Sequence, residues 1–458
     1  MLSDKFRRQL RQEAEQWRTE GLIDDVVYEQ LSQRYQFSEI EAAVRNRFVV
    51  ILLGLGSVLL GLGVITFVAA NWQELSRGLK VTLLLSGFVG ANTAGFYLWR
   101  RPTEGWQRRL GEILLLLGAL VLGANMALMS QMFHQSGLLY QLYLVWGLGV
   151  LAMAYCLRLT LLGMLSALLI GLGYLTFLWG SSDSGVTGEL SWSQLMVQYM
   201  PVLGGLLFIP LAYWCRSRWI FRIALLAMVF SLEASLFRLN VLGSSAWISA
   251  IACGLPPALL WAYHDSLWNL GKIPPTAKSF DSIARTLAIT FLSLLFYVLS
   301  FLGIWNTSSD FSVEVSSKLP LPLQIDILIL SSLALWEWLR LLLLRRVNLT
   351  TSFVGMLIAI SALVPYWHLS MGRNSAVAVL VFNLLLFLLS VGLIREGLAQ
   401  GQRRLFWGGM LLLTLQIFSR MLEYNTDLLF KSLVLFLCGL GVIAAGLWFE
   451  RYVRIIRG

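Results

Sequence analysis

The sequence predicts an all-α, polytopic integral membrane protein with about fourteen transmembrane helices and a short N-terminal cytoplasmic helical hairpin. Three observations carry that expectation. Hydrophobic residues fill 57% of the 458 positions and charged residues only 13%, too few to cover a water-facing surface of this size. The apolar residues come in long runs that match the thickness of a bilayer core. The basic residues between those runs gather in alternate loops, which fixes a direction for each crossing.

Residues 1–47 are the stretch whose polarity suits folding in water. Leu2, Phe6, Leu10, Ala14 and Trp17 recur at helical spacing on one face. Gly21 suits a helix C-terminus, and Asp24 is placed to cap a second helix carrying Val27, Tyr28 and Leu31. Ser38 and Glu41 have capping-box spacing ahead of the first span. The segment reads as a helical pair resting on the cytoplasmic loops or as a docking platform for a protein partner. Its mixed charge is unlike a cleavable signal peptide, so the first apolar run is expected to serve as its own insertion signal.

The expected spans are Phe48–Ala70, Val81–Trp99, Ile113–Phe133 and Ser136–Leu157, followed by Leu159–Gly180, Leu195–Cys215, Trp219–Phe237, Val241–Tyr263 and Thr286–Trp305. Leu323–Leu344, Thr351–Trp367, Ser375–Ile394, Leu405–Leu422 and Leu428–Phe449 complete the series. This divides the chain into a hairpin (1–47), four helices (48–157) and about ten more (158–458). With the N-terminus inside, one set of loops carries Arg100, Arg101, Arg108, Arg109, Arg158, Arg216, Arg218, Lys272, Lys278, Arg345, Arg346, Arg395, Arg403 and Arg404. The opposite set carries Asp183, Glu189, Asp310, Glu314, Glu423 and Asp427. An even number of spans keeps this alternation in phase and leaves both termini in the cytoplasm. The net charge of +10 is thereby assigned to topology and lipid headgroups rather than to nucleic acid.

Glu20-Gly21-Leu22-Ile23-Asp24, with Tyr28 and Leu31 following, resembles the N-terminal signature of a bacterial membrane family catalogued as domain of unknown function 2157. The resemblance continues through Gly54-Leu55-Gly56, Gly61-Leu62-Gly63 and Ala69-Ala70-Asn71-Trp72. It resumes at Leu117-Gly118-Ala119, Gly123-Ala124-Asn125 and Gln131-Met132-Phe133-His134. It covers roughly residues 10–155, and the region from Arg420 to Arg451 looks similar to the C-terminal part of such proteins. The resemblance implies a polytopic membrane protein and brings no catalytic role.

Polar residues in apolar surroundings supply the candidate binding positions. Gly54 and Gly61, like Gly56 and Gly63, lie seven apart and form stripes for close helix packing. Asn71, Trp72, Asn125, Gln131 and His134 fall at the expected outer ends of the first and third spans. They either line a polar pocket or bond between helices, with Trp72 in the interfacial belt. Glu233, in the outer half of the seventh span, is a candidate for transport or proton relay, because an ionisable group at that depth is costly. Glu112 is expected to pair with Arg108 or Arg109, Arg420 with Glu423, and Glu337 with Arg340. Pro201, Pro210, Pro256, Pro257 and Pro365 mark helices that are kinked or interrupted, the latter being a way to expose backbone to substrate.

Metal and cofactor sites are not expected. Cys156, Cys215, Cys253 and Cys438 are scattered and read as buried free thiols, while His134, His264 and His368 stand in separate spans or loops. Without long catalytic loops the chain reads as a non-enzyme. The functional expectation is a transporter or a lipid- or small-molecule-handling protein in contact with membrane lipids. The alternative is a non-catalytic scaffold or assembly factor that docks a partner through residues 1–47. A polar cavity at mid-depth containing Glu233, Asn92 or Asn383 would favour transport.

Overall fold

The computed structural model describes residues 4–35, 52, 55, 56, 59, 66, 76–102, 105–132, 137–180, 191–238, 246–265, 280–306, 320–343, 348–371, 374–423 and 427–457. Among these residues all regular structure is helical, and the chain divides into two compact units, Met1–Leu138 and Leu139–Gly458.

The first unit opens with α1 (Asp4–Thr19) and α2 (Asp25–Tyr35). Gly21 ends α1 at φ +73°, a left-handed conformation that costs a side-chain-free residue little. The amide of Leu22 then bonds the Trp17 carbonyl at 2.8 Å and that of Gly21 bonds Arg18 at 3.2 Å, so the last carbonyls of α1 are satisfied. Asp24 accepts from the Asp25 amide at 2.8 Å where α2 begins. Ala14 is fully buried beneath Leu10, Trp17, Ile23, Tyr28, Leu31 and Tyr35, so the helical pair has a core of its own. Tyr28 and Leu31 occupy the side of α2 turned to α1, while Val27, like Leu22 and Val26, is exposed.

The rest of this unit is a hairpin of α3 (Arg77–Arg100) and α4 (Gly105–Met132). Small residues bring the two backbones together: a Cβ added at Gly111 would stand 2.5 Å from the Trp99 nitrogen, and one at Gly118 would meet the Asn92 amide at 2.5 Å. Most of the expected first span, with Gly54, Gly61 and Gly63 of its stripes, lies outside the described residues.

The second unit holds α5 (Leu139–Leu157), α6 (Thr160–Gly180), α7 (Trp192–Gln198), α8 (Met200–Trp214), α9 (Arg218–Arg238), α10 (Ala246–Ala262), α11 (Asp281–Leu299) and α12 (Leu302–Asn306). It continues with α13 (Leu321–Leu343), α14 (Leu349–Ser370), α15 (Ser375–Ala399), α16 (Arg403–Glu423) and α17 (Leu428–Arg457). Sequential hairpins α5–α6, α8–α9 and α15–α16 pack along their lengths, and α10 lies among α9, α11, α13 and α14. Buried residues occur almost all round α10, as required of a helix with little lipid contact.

Among the described residues ten helices are long and apolar enough to cross a membrane, or eleven if α7 and α8, bent by 84°, form one span. The remaining three of the fourteen expected spans are the first, most of which lies outside the described residues, the 17-residue α10, and α13, which carries Asp326, Glu337 and Arg340. The break in the sixth expected span falls at Tyr199, just before Pro201, which sits in the first turn of α8 where its missing N–H costs nothing. In contrast, α10 runs through Pro256 and Pro257, and α14 through Pro365. All four cysteines are free thiols, but only Cys253 is buried; Cys156 is exposed and Cys215 and Cys438 are half-buried. Burial within the bundle depends on helix register, which apolar surroundings in sequence do not reveal: a membrane helix is apolar on its lipid face as well.

Candidate functional site

Of the polar set at the ends of the first and third expected spans, Asn71, Trp72 and His134 lie outside the described residues. Asn125 is buried in α4 and its amide nitrogen donates to the Leu84 carbonyl of α3 at 3.1 Å, an interhelical bond. Its Oδ1 is buried without a partner, as is that of Asn92, whose nitrogen turns back to the Phe88 carbonyl at 2.9 Å. Gln131 is exposed one residue from the end of α4.

Glu233 belongs to the second unit. It sits on α9, and its Oε1 is buried without a hydrogen-bond partner. Its helix packs against α10, and its carboxyl lies within electrostatic reach of the Cys253 side chain there. Cys253 is four residues before Pro257, and Ala252 four before Pro256, so neither proline supplies the N–H that these carbonyls would receive in an unbroken helix. The Cys253 carbonyl instead accepts the Ser361 hydroxyl of α14 at 3.4 Å. At Gly254 an added Cβ would stand 2.9 Å from Ala362 Cβ, so α14 approaches α10 closely at this level. The result is a polar spot within the bundle: one under-bonded carboxyl beside a helix whose backbone carbonyls have lost their usual donors.

Two further polar networks close the ends of the helices around it. At one end, the Tyr213 hydroxyl bonds the Tyr263 hydroxyl at 2.7 Å and donates to the Asp265 carboxylate. Asp265 also accepts the Phe280 amide at 3.0 Å, and Asp281, the first residue of α11, accepts the Asp265 amide at 2.9 Å. These reciprocal contacts cap the N-terminus of α11, where carboxylates complement the helix dipole, and tie it to the exit of α10. His264 Nε2 stands 3.9 Å from Asp281, and Glu337 of α13 lies within electrostatic reach of both. Phe221 and Phe280 stack at 4.7 Å beneath the two tyrosines. Residue spacing does not assemble this network; the available signal is His264-Asp265 directly after the Pro-Pro helix, with Asp281 opening the next.

At the opposite end, the last carbonyls of α11 receive donors from three directions. Trp305 Nε1 donates to Leu299 at 2.8 Å, Arg420 to the Ser300 carbonyl at 2.7 Å, and Asn383 to the same carbonyl at 3.2 Å. Arg420 is also paired with Glu423, as its spacing implies, and Glu423 accepts the Leu302 amide at 2.8 Å. Gln416 donates to the Asn383 carbonyl at 2.8 Å. The other expected pairs are present too, Arg108–Glu112 at 3.8 Å and Glu337–Arg340 at 3.7 Å. Asn383 is therefore engaged in helix-end bonding. Among the described residues no group of three or more His, Cys, Asp or Glu is arranged to hold a metal.

Residues 15–163 match the family of predicted membrane proteins designated DUF2157. The match covers the N-terminal third, spanning the packed hairpin of the first unit and the start of the second, and agrees with the residues that carry the resemblance in sequence. No curated protein and no solved structure matches the chain. The protein is thus a multi-span helical membrane protein with a DUF2157 region at its N-terminal end.

Proposed function

We propose that this protein is a transporter or a lipid- or small-molecule-handling protein of the bacterial inner membrane, with both termini cytoplasmic, whose working group is Glu233. The observation that carries the reading is the buried, unpartnered Oε1 of Glu233 beside the proline-interrupted bonding of α10. An unpaired carboxyl inside a membrane bundle is costly to maintain and serves ion, proton or substrate passage when it is kept. Backbone carbonyls released by prolines at the same level add acceptors without adding charge. The polar networks at the two ends of α11 differ in kind: their donors and acceptors are largely matched, which suits closure of helix ends rather than passage.

A second reading, a membrane scaffold or assembly factor, draws on the N-terminal helical pair. That pair folds around its own core and leaves Leu22 and Val26 69% and 63% exposed on its surface. One experiment separates the two. The tagged protein is purified in mild detergent and its co-purifying molecules are identified by mass spectrometry. Transport or lipid handling predicts one enriched lipid or small molecule that Glu233→Gln loses. The scaffold reading predicts a stoichiometric protein that deletion of residues 1–47 loses.

A further inference from the structure

The carboxyl of Asp326 is fully buried on α13, and neither of its oxygens has a hydrogen-bond partner among the described residues. Its placement follows from the helix. The buried stripe of α13 is Leu323, Asp326, Ile327, Leu330, Ala334, Glu337 and Leu341, while Leu328, Leu335 and Trp336 are 70%, 61% and 61% exposed on the other side. Asp326 is the sixth residue of the helix, about 8 Å of axial rise from its N-terminus, and its carboxyl is buried on the same stripe as Leu323, Ile327 and Leu330. Glu337 lies three turns further along the same stripe, about 16 Å away, and there reaches Arg340 and the network around Asp281. Asp326 has no such company. The titratable side chains on the helices that meet α13 are Tyr213 on α8, Cys253 on α10, and Tyr366 and His368 on α14, and none of them bonds the Asp326 carboxyl.

We propose that Asp326 is a proton-binding site, occupied as the neutral carboxylic acid when the helix is packed and emptied when the carboxyl gains access to water. The ligand class follows from what surrounds it. A hard metal cation needs about six oxygen ligands, whereas one proton suffices to remove the charge of one carboxylate. Two oxygens without donors point to that neutralisation, because an ionised carboxylate would require hydrogen bonds or a counter-ion to remain at this position. The inference adds a second carboxyl to the proposed function and stands on its own geometry, since Asp326 and Glu233 occupy different helices.

The test is infrared difference spectroscopy on the protein in lipid nanodiscs, titrated in pH and compared in H2O and D2O. The wild type should show a protonated-carboxyl C=O band at neutral pH that disappears on alkaline titration. Asp326→Asn should lack that band, while Asp326→Glu and Glu233→Gln keep it. An unchanged band in a folded Asp326→Asn protein overturns the assignment, as does removal of the band by sodium at constant pH. Dicyclohexylcarbodiimide, which enters membranes and reacts with protonated carboxyls, gives a second readout that needs no variant. An adduct mapped to Asp326 in wild-type protein supports the site, and its absence at every reagent concentration that labels other carboxyls overturns it. Failure of either readout leaves the Glu233 reading intact, because that reading is scored on Glu233→Gln and not on Asp326.

Discussion

Arg420 offers a perturbation whose size can be worked out from its contacts. Its guanidinium donates to the Ser300 carbonyl at 2.7 Å, pairs with Glu423, lies 4.4 Å from the Phe301 ring, and is 15% exposed. Replacing it with Met keeps most of the apolar stem but leaves the Glu423 carboxylate, itself 19% exposed, without its counter-charge. Breaking a buried pair from one side costs about 3–5 kcal/mol, and the lost charged bond to Ser300 lies within that range. Removing the acid as well, in Arg420→Met/Glu423→Gln, should restore part of the loss, because no unpaired charge remains. The expected coupling is about 1–3 kcal/mol. Thermal unfolding of the four proteins in one detergent, followed by intrinsic fluorescence, gives the cycle. Additive effects of the two single variants would refute the argument that Arg420 and Glu423 neutralise each other. It would leave the Ser300 bond and the Phe301 ring as the contacts that hold the arginine.

Further outcomes follow from the same contacts. Gly111→Ala should destabilise the α3–α4 hairpin by about 1–3 kcal/mol through its 2.5 Å approach to the Trp99 nitrogen. Gly87→Ala, with nothing within 4 Å, should be neutral or stabilising, and melting temperatures compare the two. Tyr213→Phe removes the bonds to Tyr263 and Asp265 and should lower stability by about 1–3 kcal/mol, whereas Tyr366→Phe, at a residue 44% exposed, should not. A maleimide reagent of membrane-permeant type should label Cys156 well before Cys253, which mass spectrometry of peptides would show.

The contrast between what the sequence discloses and what it conceals has a simple physical basis. Helix-forming apolar runs and pairs three or four residues apart are local, so α3 to α6, α9, Arg420–Glu423 and Glu337–Arg340 are legible in the order of residues alone. The turn at Gly21 and the cap at Asp24 are legible for the same reason. Tyr213, Asp265 and Asp281 meet only because α8, α10 and α11 end at one level, and separations of 52 and 16 residues leave no periodic trace. Asp326 reads as one acid in a leucine-rich run until helix register turns it inward with Leu323 and Leu330. Proline is ambiguous in the same way: the chain bends at Tyr199 before Pro201, yet α10 continues through two consecutive prolines that neighbours α11, α13 and α14 hold in place. Glu233 is recognisable because a charge at that depth is rare, but that its Oε1 is buried without a partner is a property of packing alone.

The role proposed for Glu233 requires its carboxyl to change charge during the protein's working cycle. A pH jump applied to proteoliposomes on a solid-supported membrane reads that event as a transient current, with no need to know the substrate. The wild type should give a transient that is much smaller in Glu233→Gln reconstituted at the same density. Equal transients in the two proteins would contradict it.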